Sequence, residues 1–200
     1  MALTGAAGFD LYISVNHQYV FVNSFVPPDN MSNGYTSCIT INKNEWGAGV
    51  HFYMIDFPLY NSVKEVCVGV SNDCILEPGE SYEPSEPIVY YGSSITQGAC
   101  ATRQGNSYQG FISRRLNMDF INLGFLGCAR GEESMAAYIA GLSMSAFVCD
   151  YDHNARSSVD LAATHYKMYD IIRERHPNLP YIMVSKPDVI GKRKRCRYAP

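Results

Sequence analysis

The chain is poor in charge. Of its 200 residues only 18% are Asp, Glu, Lys or Arg, against ~25% in an average soluble domain. With 46% apolar residues and 15 tyrosines, disorder is excluded, because a disordered chain is rich in charge and poor in aromatics. The formal net charge is −3, without the basic face that a general nucleic-acid binder carries. No apolar run approaches the ~18 residues that span a bilayer, so neither nucleic acid nor membrane is an expected partner. The opening MALTGAAGFDLY has no basic leader and no long apolar core. No signal peptide is visible, and the expected location leans cytoplasmic. The seven cysteines (38, 67, 74, 100, 128, 149 and 196) contain no C-x-x-C pair. That odd, unpatterned count reads as buried free thiols, not as a disulfide framework or a zinc site. A phosphate-binding G-x-x-x-x-G-K-[ST] loop is also absent, which excludes that class of nucleotide enzyme.

What is present divides in two. Residues 1–84 give short β-like runs, DLYISV, QYVFVNSFV, SCITI, HFYMI and VKEVCVGV, separated by PPDN, MSNGY and NEWGAG. Turn residues at that spacing favour a β-rich, sandwich-like unit. The connector LEPGESYEPSEP, with three prolines and four glutamates, closes it. From residue 85 to 200 the pattern changes. The apolar runs PIVYY (87–91), FINL (120–123), SAFVCD (145–150) and YIMVS (181–185) alternate with helical patterns over 106–117, 132–142 and 157–176. This βαβ repetition predicts a parallel sheet. The end GKRKRCRYAP is basic, with five such residues over 191–197, and reads as a solvated stub.

In an open parallel sheet, ligands bind at the carboxyl ends of the strands. Four polar or glycine-rich segments follow the apolar runs: GSSITQG (92–98), GFLGCARGE (124–132), DYDHN (150–154) and SKPD (185–188). Ser94 is placed to project a hydroxyl over the sheet edge, though such a hydroxyl needs a base to become a nucleophile. Gly127 can bring a bare N–H close to a ligand, and the Asn154 carboxamide is a further donor. Taken singly, each of these residues is more often turn chemistry than catalysis. Asp150 and Asp152 leave open a different reading, a divalent-metal site, although His153 should then point away from them.

Together, YGSSITQG (91–98), NLGFLG (122–127) and DYDHN (150–154) resemble, in order and spacing, the three blocks of the SGNH or GDSL-like hydrolases. The front half adds GFDLY (8–12), which resembles the G-x-D-L-Y motif of the β-rich domain preceding one branch of that family. The resemblance implies a flavodoxin-like α/β/α sandwich and a serine esterase acting without metal or cofactor. Its substrates would be acyl esters, often acetyl groups on carbohydrate. It makes Ser94 the nucleophile. The Ser94 N–H, the Gly127 N–H and the Asn154 side chain would form the oxyanion hole. Two small departures are Ser93, where the family usually has Asp, and Asp152, where it usually has Gly.

The large departure is the missing D-x-x-H block, since none occurs after residue 154. His17 and His51 fall in the front half, and His153, His165 and His176 fit no family position. The general base and its Asp are therefore expected outside this sequence, which reads as a piece of a longer hydrolase cut at both ends. Alone it should hydrolyse very poorly and, with an incomplete sheet, self-associate through an exposed edge near 181–185. The alternatives are a non-catalytic carbohydrate-binding remnant using its many tyrosines, or a metal-dependent hydrolase using Asp150 and Asp152.

Overall fold

The computed structural model describes residues 2–30 and 33–185. The chain begins with helix α1 (Leu3–Ala7) and strands β1 (Phe9–Val15) and β2 (Gln18–Phe25). A short helix α2 (Lys43–Trp46) and strand β3 (Tyr53–Asp56) follow. β1 lies between β2 and β3, antiparallel to both. Asn16 and His17 both have positive φ and close the β1–β2 hairpin, as a two-residue turn between right-twisted strands requires. The described residues hold this one three-stranded antiparallel sheet, a single layer where the sequence suggested a sandwich. SCITI and VKEVCVGV do not form strands. The valines at 63, 66, 68 and 70 remain exposed, and β propensity without a paired neighbour or a buried face does not hold a strand.

The second half follows the expected alternation closely. It comprises β4 (Ile88–Gly92), α3 (Ser94–Gln97), α4 (Tyr108–Leu116), β5 (Phe120–Gly124), α5 (Glu133–Ala140), β6 (Ala146–Asp150), α6 (Ser158–Arg175) and β7 (Tyr181–Met183). All four strands are parallel, in the order β5-β4-β6-β7. Central β4 is buried along its whole length, which is why IVYYG reads as a continuous apolar run instead of an alternating one. Val89 and Tyr91 face a core shared with Ala136 and Ile139 of α5 and Met168 and Ile172 of α6. Ile88 and Tyr90 face the other side, against Tyr108 and Ile112 of α4. The result is the expected α/β/α layering. Ser107 caps α4 by accepting from the Gly110 N–H at 3.2 Å, and Ser157 caps α6 through Asp160 at 3.1 Å. These are the caps the polar residues ahead of each helix announce.

The two halves are clasped by charge. Asp10 of β1 is wholly buried. It accepts from Arg103 at 2.8 Å, from the Gly105 N–H at 3.0 Å and from the Ser24 hydroxyl at 2.6 Å. Tyr12 of the same strand bonds Arg103 and carries the Arg114 guanidinium over its ring at 4.4 Å. Arg114 also pairs with Asp56 at 3.1 Å. Gln104 donates to the carbonyls of Thr4 and Gly8. The aspartate and tyrosine of G-x-D-L-Y are thus the front unit's grip on the α/β unit.

The cysteine expectation needs correcting. Of the described thiols only Cys149 is buried, while Cys38, Cys67, Cys74, Cys100 and Cys128 are exposed; Cys196, SKPD beyond Ser185 and the basic segment 191–197 lie outside the described residues. Cys149 is pushed up to about 12 by burial, so it is an inert core thiol. The other five stand on loops, whose small side chains need no core.

Asp56 generates a pH prediction. Burial pushes its carboxyl up to about 6, outweighing Arg114, which lowers it. The folded state therefore binds a proton here that the unfolded state has released, from about the ordinary 3.8 up to about 6. This group's contribution to stability is full at acid pH and is lost as pH rises through that window. The total is about 3 kcal/mol at most, at 1.36 kcal/mol per unit. Urea unfolding should show wild type losing stability relative to Asp56→Asn as pH is raised from about 4 to 7. A difference that stays flat would show that Asp56 titrates normally.

Candidate active site

The strand order places a switch point between β4 and β6. From β4 the chain leaves toward β5 and α4, and from β6 it leaves toward β7 and α6 on the opposite face. Such a divergence opens a crevice above the carboxyl ends of the two strands. Gly92 is in register with Gly124 on one side and Asp150 on the other. The segments carrying Ser94, Gly127 and Asn154 therefore start side by side on one rim.

Ser94 is the first residue of α3 and is partly exposed. Ser93 is buried and caps the helix, its hydroxyl accepting from the Ile95 N–H at 3.2 Å, while its own N–H donates to the Asp150 carbonyl at 3.1 Å. Asp and Ser are comparable N-caps, so the departure at residue 93 preserves the turn. Thr96 is also buried and donates to the Asp150 carboxylate at 3.0 Å; the Tyr108 hydroxyl approaches the same oxygen at 3.4 Å. Burial raises Asp150 above the usual carboxylate range, against the lowering effect of Thr96. Its carboxylate is thus turned into the body of the protein and held by two hydroxyls. Among the described residues no three His, Cys, Asp or Glu side chains gather as a metal site would need.

The glycine loop folds back over α3. Gly124 packs flat on that helix, and a Cβ there would collide with the Gln97 backbone nitrogen. Phe125 N–H donates to the Gly92 carbonyl at 2.9 Å. Gly127 has φ +68°, with open space where a Cβ would stand, so backbone conformation alone calls for glycine there. Asn154 lies in a 3-10 turn over Asp152–Asn154 and donates to the Phe125 carbonyl at 3.1 Å. The asparagine and glycine loops are therefore in direct contact. A cavity of about 340 Å³ opens beside Asn154, lined also by Arg130, Glu132, Ala155 and Arg156. A larger one of about 490 Å³, between β3 and β5, has none of the three residues in its lining, and Ser94 and Gly127 line neither cavity.

Of the histidines, His165 is tied to the core, its ring 4.8 Å from that of Tyr151 and its Nε2 3.6 Å from Cys149 Sγ. Burial lowers its pKa. His176 meets the Ala140 carbonyl at 2.9 Å, and His51 the Gly47 carbonyl at 3.3 Å. His17 is in the hairpin turn. His153 adjoins Asn154 in the 3-10 turn. Thr96, Gln97, Tyr108 and Asp150 shape the rim without having stood out in the sequence as its framework. Their roles depend on partners as far as 29 to 54 positions away.

A parallel sheet with a serine-bearing turn at its switch point is the layered arrangement in which a ligand crevice forms. The GDSL-like lipase/acylhydrolase family matches residues 85–193, and a profile described as the N-terminus of Esterase_SGNH_hydro-type matches residues 1–76. The chain belongs to the GDSL-like lipase/acylhydrolase family. Among solved structures it is similar to a protein assigned as a GDSL-like lipase from Bacteroides ovatus ATCC 8483. The TM-score is 0.73 at 28% identity, covering 91% of this chain and 52% of that one. It also shares a fold with the salicylyl-acyltransferase SsfX3 of a tetracycline biosynthetic pathway. There the TM-score is 0.53 at 17% identity, over 87% of this chain and 48% of that one. The chain thus spans about half the length of these structures. A search of curated proteins gives no significant match. No helix among the described residues is long and apolar enough to cross a membrane.

Thr96 offers a direct test of the rim's framework. Thr96→Val removes a donor from a buried carboxylate and should cost about 1–3 kcal/mol. Urea unfolding at pH 7 checks it. A loss under about 0.5 kcal/mol would mean that Asp150 does not depend on this hydroxyl.

Proposed function

We propose that this chain is the nucleophile-bearing part of an SGNH-type serine esterase that removes acyl groups, acetyl among them, from carbohydrate or other small esters. Residues 1–84 would serve as its β-rich docking unit and 85–200 as its hydrolase unit. The observation that carries the reading is the joining of three loops at one rim. Gly92 pairs with both Gly124 and Asp150, and Asn154 bonds the loop that leads to Gly127.

In this reading the Ser94 hydroxyl oxygen attacks the ester carbonyl carbon as a base takes its proton. The carbonyl oxygen becomes an oxyanion and accepts from three donors. As the first residue of α3, Ser94 presents an N–H that has no intrahelical acceptor. Gly127 supplies a second N–H. Asn154 has one amide hydrogen on Phe125 and a second still to give. Donors aimed in advance at a developing charge need no reorganisation during the reaction. Collapse expels the alcohol, whose oxygen takes the proton from that base. Water, giving a proton to the same base, then attacks the acyl carbon and releases the acid, and the proton returns to the Ser94 oxygen. The base is not among the matched positions of this sequence.

The test is turnover of p-nitrophenyl acetate by the longer esterase that carries this sequence and supplies the base. Ser94→Ala should remove activity by at least about 10³-fold, as loss of a nucleophile does elsewhere. EDTA should leave wild-type turnover unchanged. Undiminished activity of Ser94→Ala would refute the nucleophile, and inactivation by EDTA would restore the metal reading of Asp150 and Asp152.

A further inference from the structure

Gln97, the last residue of α3, has no part in the proposed chemistry, yet its side chain joins three segments. Its Oε1 accepts from the Leu126 N–H at 3.0 Å. Its Nε2 donates to the Leu59 carbonyl at 3.3 Å. The Leu126 N–H and the Phe125 carbonyl belong to one peptide unit, and that carbonyl receives the Asn154 amide at 3.1 Å. A peptide unit is planar. In the trans form its C=O and N–H point in opposite directions, so this plane is gripped from both sides, by Asn154 and the Cys128 N–H (3.2 Å) on the carbonyl and by Gln97 on the N–H. Beyond it only the two soft torsions of Leu126 separate the fixed plane from the Gly127 N–H.

The far side of Gln97 is itself braced by the front unit. Leu59 offers its carbonyl to Gln97, and its side chain covers Gly98, where a Cβ would lie 2.6 Å from Leu59 Cδ1. The neighbouring Tyr60 hydroxyl reaches the Ser94 carbonyl at 3.4 Å. Segment 59–60, just past β3, thus touches α3 at its first residue, at its last and at the glycine that follows.

We propose that Gln97 is a positioning residue, which with Asn154 clamps the Phe125–Leu126 peptide and so aims the Gly127 amide. The front unit supports it through Leu59. The inference deepens the esterase reading and rests on it. A clamp of this kind acts on the transition state. The substrate carbonyl gains little from the hole before charge develops, so its loss should appear in kcat and not in KM.

Two variants test it. Gln97→Met keeps the length and removes both bonds. Gln97→Glu keeps an acceptor for the Leu126 N–H and loses the donor to Leu59. Amide hydrogen exchange on this chain should show Leu126 exchanging faster in Gln97→Met and staying protected in Gln97→Glu. In the esterase that carries this sequence, Gln97→Met should lower kcat roughly 10–100-fold, the scale of a small misplacement. KM should stay within about threefold. Unchanged kcat in a variant whose Leu126 amide has lost protection would overturn the proposal. So would equal exchange in wild type and Gln97→Met. Where Gln97→Met fails to fold, Gln97→Glu decides, and rapid exchange of Leu126 in that folded variant would equally overturn it. Ser94→Ala run alongside separates the two claims. If it retains turnover the esterase reading fails, whereas if it alone is dead and Gln97→Met is fully active only the clamp fails.

Discussion

Asp150 is the residue on which the rim depends. It ends β6 in register with Gly92, the end of β4. Its carbonyl takes the Ser93 N–H, and its carboxylate takes the Thr96 and Tyr108 hydroxyls. One residue therefore holds the turn before the serine, the helix after it and the first turn of α4. A buried carboxylate is costly unless hydrogen-bonded, and here the partners are hydroxyls without a full positive charge. The cost shows as the raised pKa. What the arrangement supplies is geometry: the serine turn cannot shift without stranding an acid in the interior. Strands alone would leave α3 free to rock on the sheet edge, because only four residues of helix follow the cap.

A second set of acids works at the junction of the two units. Asp10 and Asp56 face Arg103 and Arg114 across it. Asp10 has the richer site, with a cation, a backbone amide and a hydroxyl on its two oxygens. Asp56 has Arg114 and the repulsion of Asp10, and its burial outweighs the pairing. Buried ion pairs are weak sources of stability because desolvation offsets attraction, but a misdocked pair leaves charges stranded. The clasp thus specifies how β1 meets the segment over 103–114 more than it adds net binding. That specification reaches the rim, since β3 leads directly into the Leu59 and Tyr60 contacts with α3.

Much of this was legible in the sequence, and the parts that were not share a cause. The parallel strands and their helices could be read because their signals are local: apolar runs of about five residues alternating with stretches of helical periodicity. The three loops could be placed at one rim because parallel topology requires it. G-x-D-L-Y could be recognised as a motif, but its use could not, since Asp10 and Tyr12 find their partners more than 90 positions away. VKEVCVGV misled for the opposite reason. It has the composition of a strand, and composition does not supply a neighbour. Gln97 was hidden in plain view inside SSITQG, because a glutamine with two backbone partners on two different loops leaves no local trace.

The departures from the family pattern make the same point from the side of chemistry. At residue 93 the structure requires an oxygen that accepts from the Ile95 N–H and a side chain small enough to be buried against β6. Aspartate and serine both meet that requirement. Serine meets it without adding charge, and Asp150 already stands buried next to it. A second carboxylate there would raise both acids by like-charge repulsion and would set another anion beside the position where an oxyanion is proposed to form. A neutral cap is therefore the better partner for this particular rim. The pattern at residue 93 is set by hydrogen-bond geometry, and serine meets it without adding a charge to a turn whose N–H already rests on Asp150.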